Sequence, residues 1–379
     1  MVDLSDVRAW RHHLHAHPET AFEEFETSRF VAEKLRSFGL EVTEGIGGTG
    51  VVGVKRGTGG GRTVSFRADM DALDIQEANR FAHASRIRGK MHACGHDGHT
   101  AMLLGAARHL AQRDLSGTIQ FVFQPAEENE GGGKRMIEDG LFKRFPADAV
   151  FGMHTRPGLD IGSFALRSGP SMASFDVFEI TIEGKGTHAA RPHLGADPIV
   201  AAGQIISAVQ SIVSRSVDPL DAAVVSITEM KGGASWNVIP DSAVLRGTTR
   251  ALDQGVRDLI EARLRSVVSS ICGGLGCVAN IIYDRRYPVL VNTPEWTAAC
   301  GEVVQRLVGT DRVKKEIPAT MGAEDFAFML QEVPGCYLWI GNGTMERDRI
   351  LHNPNFDFND DALPFGIDYW VALAEAVAK

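Results

Sequence analysis

Apolar positions recur at helical spacing from Ser5 to His17 and again from Thr27 to Phe38, where Gly39 stops the second run. The pattern then shortens to that of strands. Val51–Val54 and Thr63–Ala68 are short apolar runs joined by the GTGGG turn at 57–61. Next come a helix over Thr100–Gln112, a strand over Thr118–Phe123, a helix over Lys134–Phe142 and a strand over Ala149–His154. Strands alternating with helices across short connections predict an α/β domain with a largely parallel sheet flanked by helices. Ligands of such sheets collect beyond the carboxyl ends of the strands, where the strand order reverses. The polar groups expected at those ends are Asp69-Met70-Asp71, Glu127-Glu128 and His154.

From about Ser174 the pattern changes. Phe175–Ile182 alternates as a strand, Asp197–Ser214 reads as a helix, and Ala223–Glu229 and Ala243–Arg250 are further strands. A helix over Gln254–Ile271 and a strand over Val278–Tyr283 complete a β-α-β-β-α-β order, which is the ferredoxin-like α+β unit. After Pro288 helices return with one more strand, Cys336–Ile340. The expected organisation is therefore an insertion, with residues 1–173 and 289–379 forming the larger domain and 174–288 the inserted one.

Composition narrows the function classes. With 44% hydrophobic and 23% charged residues the chain is globular, and a net charge of −9 argues against a nucleic-acid partner. The richest apolar run, Ile199 to Val213, is broken by Gly203, Gln204, Ser207 and Gln210, so no membrane partner is expected. The opening MVDLSDVRAWRHHLHAHPE has no apolar core of a leader. Five scattered cysteines, at 94, 272, 277, 300 and 336, fit free thiols in a cytoplasmic protein. The 13 histidines, many of them clustered, point toward metal or acid–base chemistry.

The densest chemistry is Met91-His92-Ala93-Cys94-Gly95-His96-Asp97-Gly98-His99. Thiolate and imidazole suit borderline metals, and the glycines let Cys94 and His96 turn to one ion. His92 and His99 read as supporting or helix-start residues. Glu127 and Glu128 follow a buried strand, where adjacent carboxylates need a cation or a proton. One is read as a metal ligand and the other as a general base. His154 and His352 gain meaning only from such company. Asp71, with Asp69, closes VSFRADMDA and could orient a ligand imidazole. The inserted unit offers His188, Asn237 and Arg250, types that polarise a carbonyl or clamp a carboxylate. His12, His13, His15 and His17 are read as structural, since helical spacing puts His13 and His17 on one face but nothing acidic or sulfur-bearing joins them. GxSxG, P-loop and HExxH signatures are absent, and GIGGTG at 45–50 leads into a strand, unlike a dinucleotide loop.

The phrases HPETAFEEFETS, RADMDAL, KMHACGHDGH, QPAEE, GMH, GKGTHAARPH, NVIP, RGTTR, GAEDF and LHNP occur in one order from about His15 to Pro354. In this the chain resembles the M20 metallopeptidase clan, in its amidohydrolase branch of hippurate hydrolases, N-acyl-amino-acid amidohydrolases and auxin-conjugate hydrolases. The resemblance implies a zinc-exopeptidase-like catalytic domain with an inserted lid and dimerisation domain. It implies two divalent ions per subunit (Zn, Mn, Co or Ni) held by Cys94, His96, Glu128, His154 and His352, with Cys94 as the bridge. Glu127 is implied as general base and His188 as a catalytic helper at the carbonyl, while Asn237 and Arg250 match substrate-binding positions. The implied substrate is a small N-acyl amino acid, and the implied assembly a homodimer or a tetramer. One departure lies in the substrate-bordering segment, where Asp74 stands after RADMDAL in place of the family's proline.

Three activities fit these residues. The first is amide hydrolysis of N-acyl amino acids. The second keeps the site with another substrate, as a dipeptidase, an N-acetyl-diaminopimelate deacetylase or an N-carbamoyl amino acid hydrolase. The third is a catalytically silent metal-dependent binding protein, whose signature would be loss of Glu127 or of a ligand.

Overall fold

The computed structural model describes residues 4–128, 130–343 and 349–379. These form two compact units, one of Met1–Gly169, Val291–Pro318 and Asp325–Lys379, the other of Pro170–Leu290 with Ala319–Glu324.

The first unit is built on an eight-stranded sheet in the order Glu41–Ile46, Gly50–Lys55, Thr118–Gln124, Thr63–Asp69, Ala149–Arg156, Gly335–Gly341, Phe164–Leu166, Val313–Lys315. The four strands from Thr118–Gln124 to Gly335–Gly341 are mutually parallel. Antiparallel pairings flank them on both sides, so the sheet is mixed and mostly parallel. The parallel strands are buried along nearly their whole length, as apolar runs such as TIQFVFQ and AVFGMHTR require. Phe66, Phe121, Phe151 and Trp370 pack together in the core, with the Phe66 and Trp370 rings stacked at 4.9 Å.

Strand Thr63–Asp69 pairs with Thr118–Gln124 on one side and with Ala149–Arg156 on the other. The crossover from it to Thr118–Gln124 and the next, from there to Ala149–Arg156, therefore run in opposite directions along the sheet, which opens a crevice at the carboxyl ends of these strands. The helix entering that crevice, His96–Ala111, begins four residues earlier than the spacing predicts. Gly95 starts it in the left-handed region at φ 88°, and a Cβ there would meet Thr155 Cγ2 at 2.6 Å. His96 consequently sits in the first helical turn rather than in a loop, and His99 has the helix-start place read for it.

Other boundaries also moved. The expected helix over Lys134–Phe142 is two helices, Gly132–Glu138 and Leu141–Arg144, separated at Gly140 with φ 91°. GIGGTG is the hairpin joining Glu41–Ile46 to Gly50–Lys55, with Gly47 and Gly48 at positive φ. Strand Glu41–Ile46 escaped the pattern because its EVTEGI sequence is largely exposed at a sheet edge.

The second unit is the ferredoxin-like fold. Its sheet runs Ala223–Gly232, Ser242–Ala251, Phe175–Glu183, Val278–Tyr287, all antiparallel. Pro198–Ala208, Gln210–Arg215 and Gln254–Gly274 supply the helices, the first two replacing the single helix expected over 197–214. Ile180, Ile182, Ile205, Leu245, Ile260 and Leu264 fill its separate core.

Candidate metal centre

Six sequence candidates converge at the carboxyl edge of the first unit's sheet. Donor atoms of Cys94, His96 and His154 lie within 4.8 Å of one another, and so do those of Cys94, Glu128 and His352. His96, Glu127 and Glu128 form a third such group. Cys94 and His96 come from the glycine-bounded start of helix His96–Ala111, and His154 from strand Ala149–Arg156. His352 sits in a loop at φ 64°, where its N–H donates to the Ala93 carbonyl at 2.8 Å beside Cys94.

In a strand, neighbours such as Glu127 and Glu128 would point to opposite faces. They lie beyond strand Thr118–Gln124, in a loop that turns at Ala126 with φ 52°, and both face His96. Their adjacency is set by that turn and not by the pleat.

The hydrogen bonds turn particular atoms toward the cluster. His96 Nδ1 donates to the Asp71 carbonyl at 2.9 Å, with Asp71 Oδ1 at 3.2 Å, so Nε2 is the ring nitrogen that faces the other donors. His154 Nδ1 donates to the Thr155 carbonyl at 2.6 Å, and its Nε2 lies 3.4 Å from Cys94 Sγ. Nε2 of His96 and Oε1 of Glu128 are buried without a hydrogen-bond partner. His352 Nε2 approaches that Oε1 to 3.1 Å without hydrogen-bond alignment. An orphaned buried nitrogen and an orphaned buried oxygen, converging with the Cys94 sulfur, are donor types that a borderline divalent cation takes. The residues therefore fit the implied ions.

Electrostatics agree. Burial pushes the Cys94 thiol well up, and Glu128 and Glu127 push it further. Burial pushes His154 well below the imidazole range, with His99 adding to the shift. Burial opposes a charge on His96 as well, but Asp69 and Asp71 outweigh it and hold the ring at about 10. A cluster whose acids stabilise an imidazolium and suppress a thiolate accepts added positive charge readily.

His99 is differently placed. Its Nδ1 faces Asp69 Oδ1 at 2.6 Å and its Nε2 accepts from the Thr155 N–H at 2.9 Å, so both ring nitrogens are engaged. Asp69 in turn takes Arg67 at 2.7 Å. His92 is buried and driven down to about 4 by that burial, so its ring is neutral. Asp71 joins two halves of the cluster, because its Oδ2 also accepts from the Glu128 N–H at 2.9 Å.

The His12–His17 cluster takes acidic partners from distant parts of the chain. His15 lies 2.8 Å from Asp97 Oδ2 and 3.2 Å from Glu77 Oε1, while His12 meets Asp360 at 2.8 Å. Arg11 joins Asp97 at 3.2 Å and Asp357 at 2.8 Å. Asp97 thus anchors the turn carrying His96 to the first helix. Sequence reasoning missed this support; its one trace is an Asp between two histidines opposite an HHLHAH helix.

The remaining candidates belong to the second unit. His188 lies on a two-residue strand paired with Val238–Ile239, and the Ala189 N–H donates to the Asn237 carbonyl at 2.9 Å. The His188 ring is exposed and its Nδ1 accepts from the Ala190 N–H at 3.0 Å, which leaves the proton on Nε2. Arg250 lies near the end of strand Ser242–Ala251 in the unit's four-stranded sheet, half-buried, with its guanidinium 4.2 Å above the Phe175 ring. Asp176, the acid whose charge acts on Arg250, is held by Arg257 at 2.5 Å and by the Tyr283 hydroxyl at 3.1 Å.

Known proteins resemble the chain over nearly its whole length. Residues 65–376 match the model described as peptidase family M20/M25/M40. A hippurate hydrolase of Campylobacter jejuni is 41% identical over 96% of this chain and 94% of its own. An N-acetylcysteine deacetylase of Bacillus subtilis is 41% identical over 97% and 96% respectively. Among solved structures, a dinuclear metal-binding peptidase of the M20 family from Bacillus subtilis superposes with a TM-score of 0.86 at 36% identity, over 99% of this chain and 98% of that one.

Proposed function

Because this chain belongs to peptidase family M20/M25/M40, a family of metal-dependent amide hydrolases, we propose that it hydrolyses the amide bond of N-acyl amino acids, hippurate-like conjugates among them. The observation that carries the reading is the double membership of Cys94. Its sulfur is common to the triad with His96 and His154 and to the triad with Glu128 and His352. With one sulfur shared by two donor sets, these five residues would hold two divalent ions, Zn, Mn, Co or Ni.

A pair of divalent ions supplies, when bound, a water of lowered pKa and a positive charge for the amide carbonyl. Glu127 stands beside Glu128 and His96 in the same cluster. It takes the water's proton and delivers it to the departing amine, a task that shifts rates by about 10²–10⁴-fold. Asp71 keeps His96 and the Glu128 backbone in register. His188, with its proton on Nε2, donates to the oxygen that gains charge in the tetrahedral intermediate. Asn237 and Arg250 receive the amino acid's carboxylate. The proposal extends to a cytoplasmic homodimer, in keeping with five buried free thiols and with the family resemblance.

Hydrolysis of a panel of N-acyl amino acids by metal-replete protein, followed by mass identification of products, tests the reading. Turnover of at least one member, lost in Glu127→Gln at unchanged metal content, is the expected result. Protein that is inert on the whole panel, or indifferent to Glu127→Gln, contradicts it. Dipeptides and N-carbamoyl amino acids in the same panel separate the alternative substrates.

A further inference from the structure

The motif HPETAFEEFETS holds an acid that the chemistry above does not use. Glu24 is fully buried at the start of helix Phe25–Ser37, yet its side chain caps nothing in that helix. It reaches instead to two distant elements. One carboxylate oxygen, Oε1, accepts from the Ala126 N–H at 2.9 Å, and the other, Oε2, accepts from the Thr49 hydroxyl at 2.6 Å.

Ala126 precedes Glu127 and Glu128 and stands at φ 52°, a conformation that an L-residue adopts only at an energetic cost. Two hydrogen bonds hold it there. Its N–H goes to Glu24, and its carbonyl accepts from the Gly132 N–H at 2.9 Å. The loop closes so tightly that a Cβ on Gly132 would meet the Pro125 carbonyl at 1.8 Å. Released from the clamp, Ala126 would relax toward negative φ and swing both following carboxylates away from His96. Burial pushes the Glu24 carboxyl up to about 7, with the Thr49 hydroxyl opposing and Asp71 adding to the rise.

We propose that Glu24 is a positioning residue for the Glu127–Glu128 pair, its carboxylate clamping Ala126 in the left-handed turn that aims both acids at the ligand cluster. This rests on the reading of Glu127 as general base and Glu128 as ligand.

The test compares Glu24→Met, which keeps the length and removes the acceptor, with Glu24→Gln, which retains an acceptor for the Ala126 N–H. Each is assayed at saturating metal for kcat, KM and melting temperature. Misplacement of a catalytic group by about 1 Å costs roughly 10²-fold, and a kcat loss of that order at near-constant KM is expected for Glu24→Met. Glu24→Gln retains most of the activity. Ala126→Gly added to Glu24→Met restores much of kcat, because glycine takes positive φ unaided. A residue that merely filled space would not be rescued in this way.

Full activity in Glu24→Met, or a double variant no better than Glu24→Met, overturns the proposal. Should Glu24→Met fail to fold, Thr49→Val decides, since it frees the second carboxylate oxygen. A reduced kcat with unchanged KM and melting temperature then sustains the clamp, and an unchanged kcat overturns it. Glu127→Gln measured in parallel separates the two readings. If it is inactive while Glu24→Met matches the unmodified protein, only the clamp fails; if Glu127→Gln is fully active, the underlying assignment fails and the clamp with it.

Discussion

Nε2 of His154 points at the Cys94 sulfur across 3.4 Å, because Nδ1 of the same ring is committed to the Thr155 carbonyl at 2.6 Å. The tautomer is therefore set before any ion arrives, and the second nitrogen faces the sulfur that both donor triads share. A ring locked in this way binds a cation with little reorganisation.

Cys94→Ala removes the donor common to the two triads. The variant should fold, since the thiol lies at the crevice edge of a separately packed core, and should hold fewer than two ions at concentrations that saturate the unmodified protein. Activity should fall by at least about 10²-fold, the scale of losing metal-assisted stabilisation of charge. Elemental analysis of dialysed protein with parallel assays checks this; full stoichiometry in the variant would remove Cys94 from the ligand set.

Asp71→Asn weakens two supports together, the His96 ring at 3.2 Å and the Glu128 N–H at 2.9 Å. Loss of such outer partners costs about 10–100-fold in metal affinity or activity. Competition with a chelator should show the affinity loss, and kcat should drop even where metal is saturating. Unchanged values for both would make Asp71 a bystander.

His15 predicts a pH dependence of stability. Burial alone would push its ring down, but Asp97 and Glu77 outweigh it and raise the folded imidazolium from 6.5 to about 9. Over that window the folded chain binds more protons than the unfolded one, so this stabilisation is complete below 6.5 and disappears as pH rises through about 9. The unfolding free energy should decline across the window by up to about 1.4 kcal/mol per pH unit for one proton. Denaturant melts of the unmodified protein and His15→Gln measure it: the variant's profile should be flatter, and an identical slope would place the titration elsewhere.

The sequence carried the parallel strands and the ferredoxin-like unit because their apolar runs are buried and regular. It also carried the ligand candidates, since the density around Cys94 and the acids after a buried strand are local signals. What it could not carry were contacts closed by the fold. His15 finds Glu77 and Asp97 across 62 and 82 residues, and Glu24 finds Ala126 across 102. The early start of helix His96–Ala111 was hidden by Gly95 and Gly98, which read as loop residues. Gly98 in fact packs where a Cβ would meet Phe358 at 2.3 Å. Strand Glu41–Ile46 was hidden by its exposure.

The most direct measurement is a crystal structure of the metal-loaded protein with data collected on either side of the metal's absorption edge. Two anomalous peaks roughly 3.5–4 Å apart are predicted. Cys94 should lie between them, with His96, Glu128, His154 and His352 completing the coordination and Glu127 left unligated beside the intervening water. A single peak, or ions held by Asp69 and His99 instead, would contradict the account.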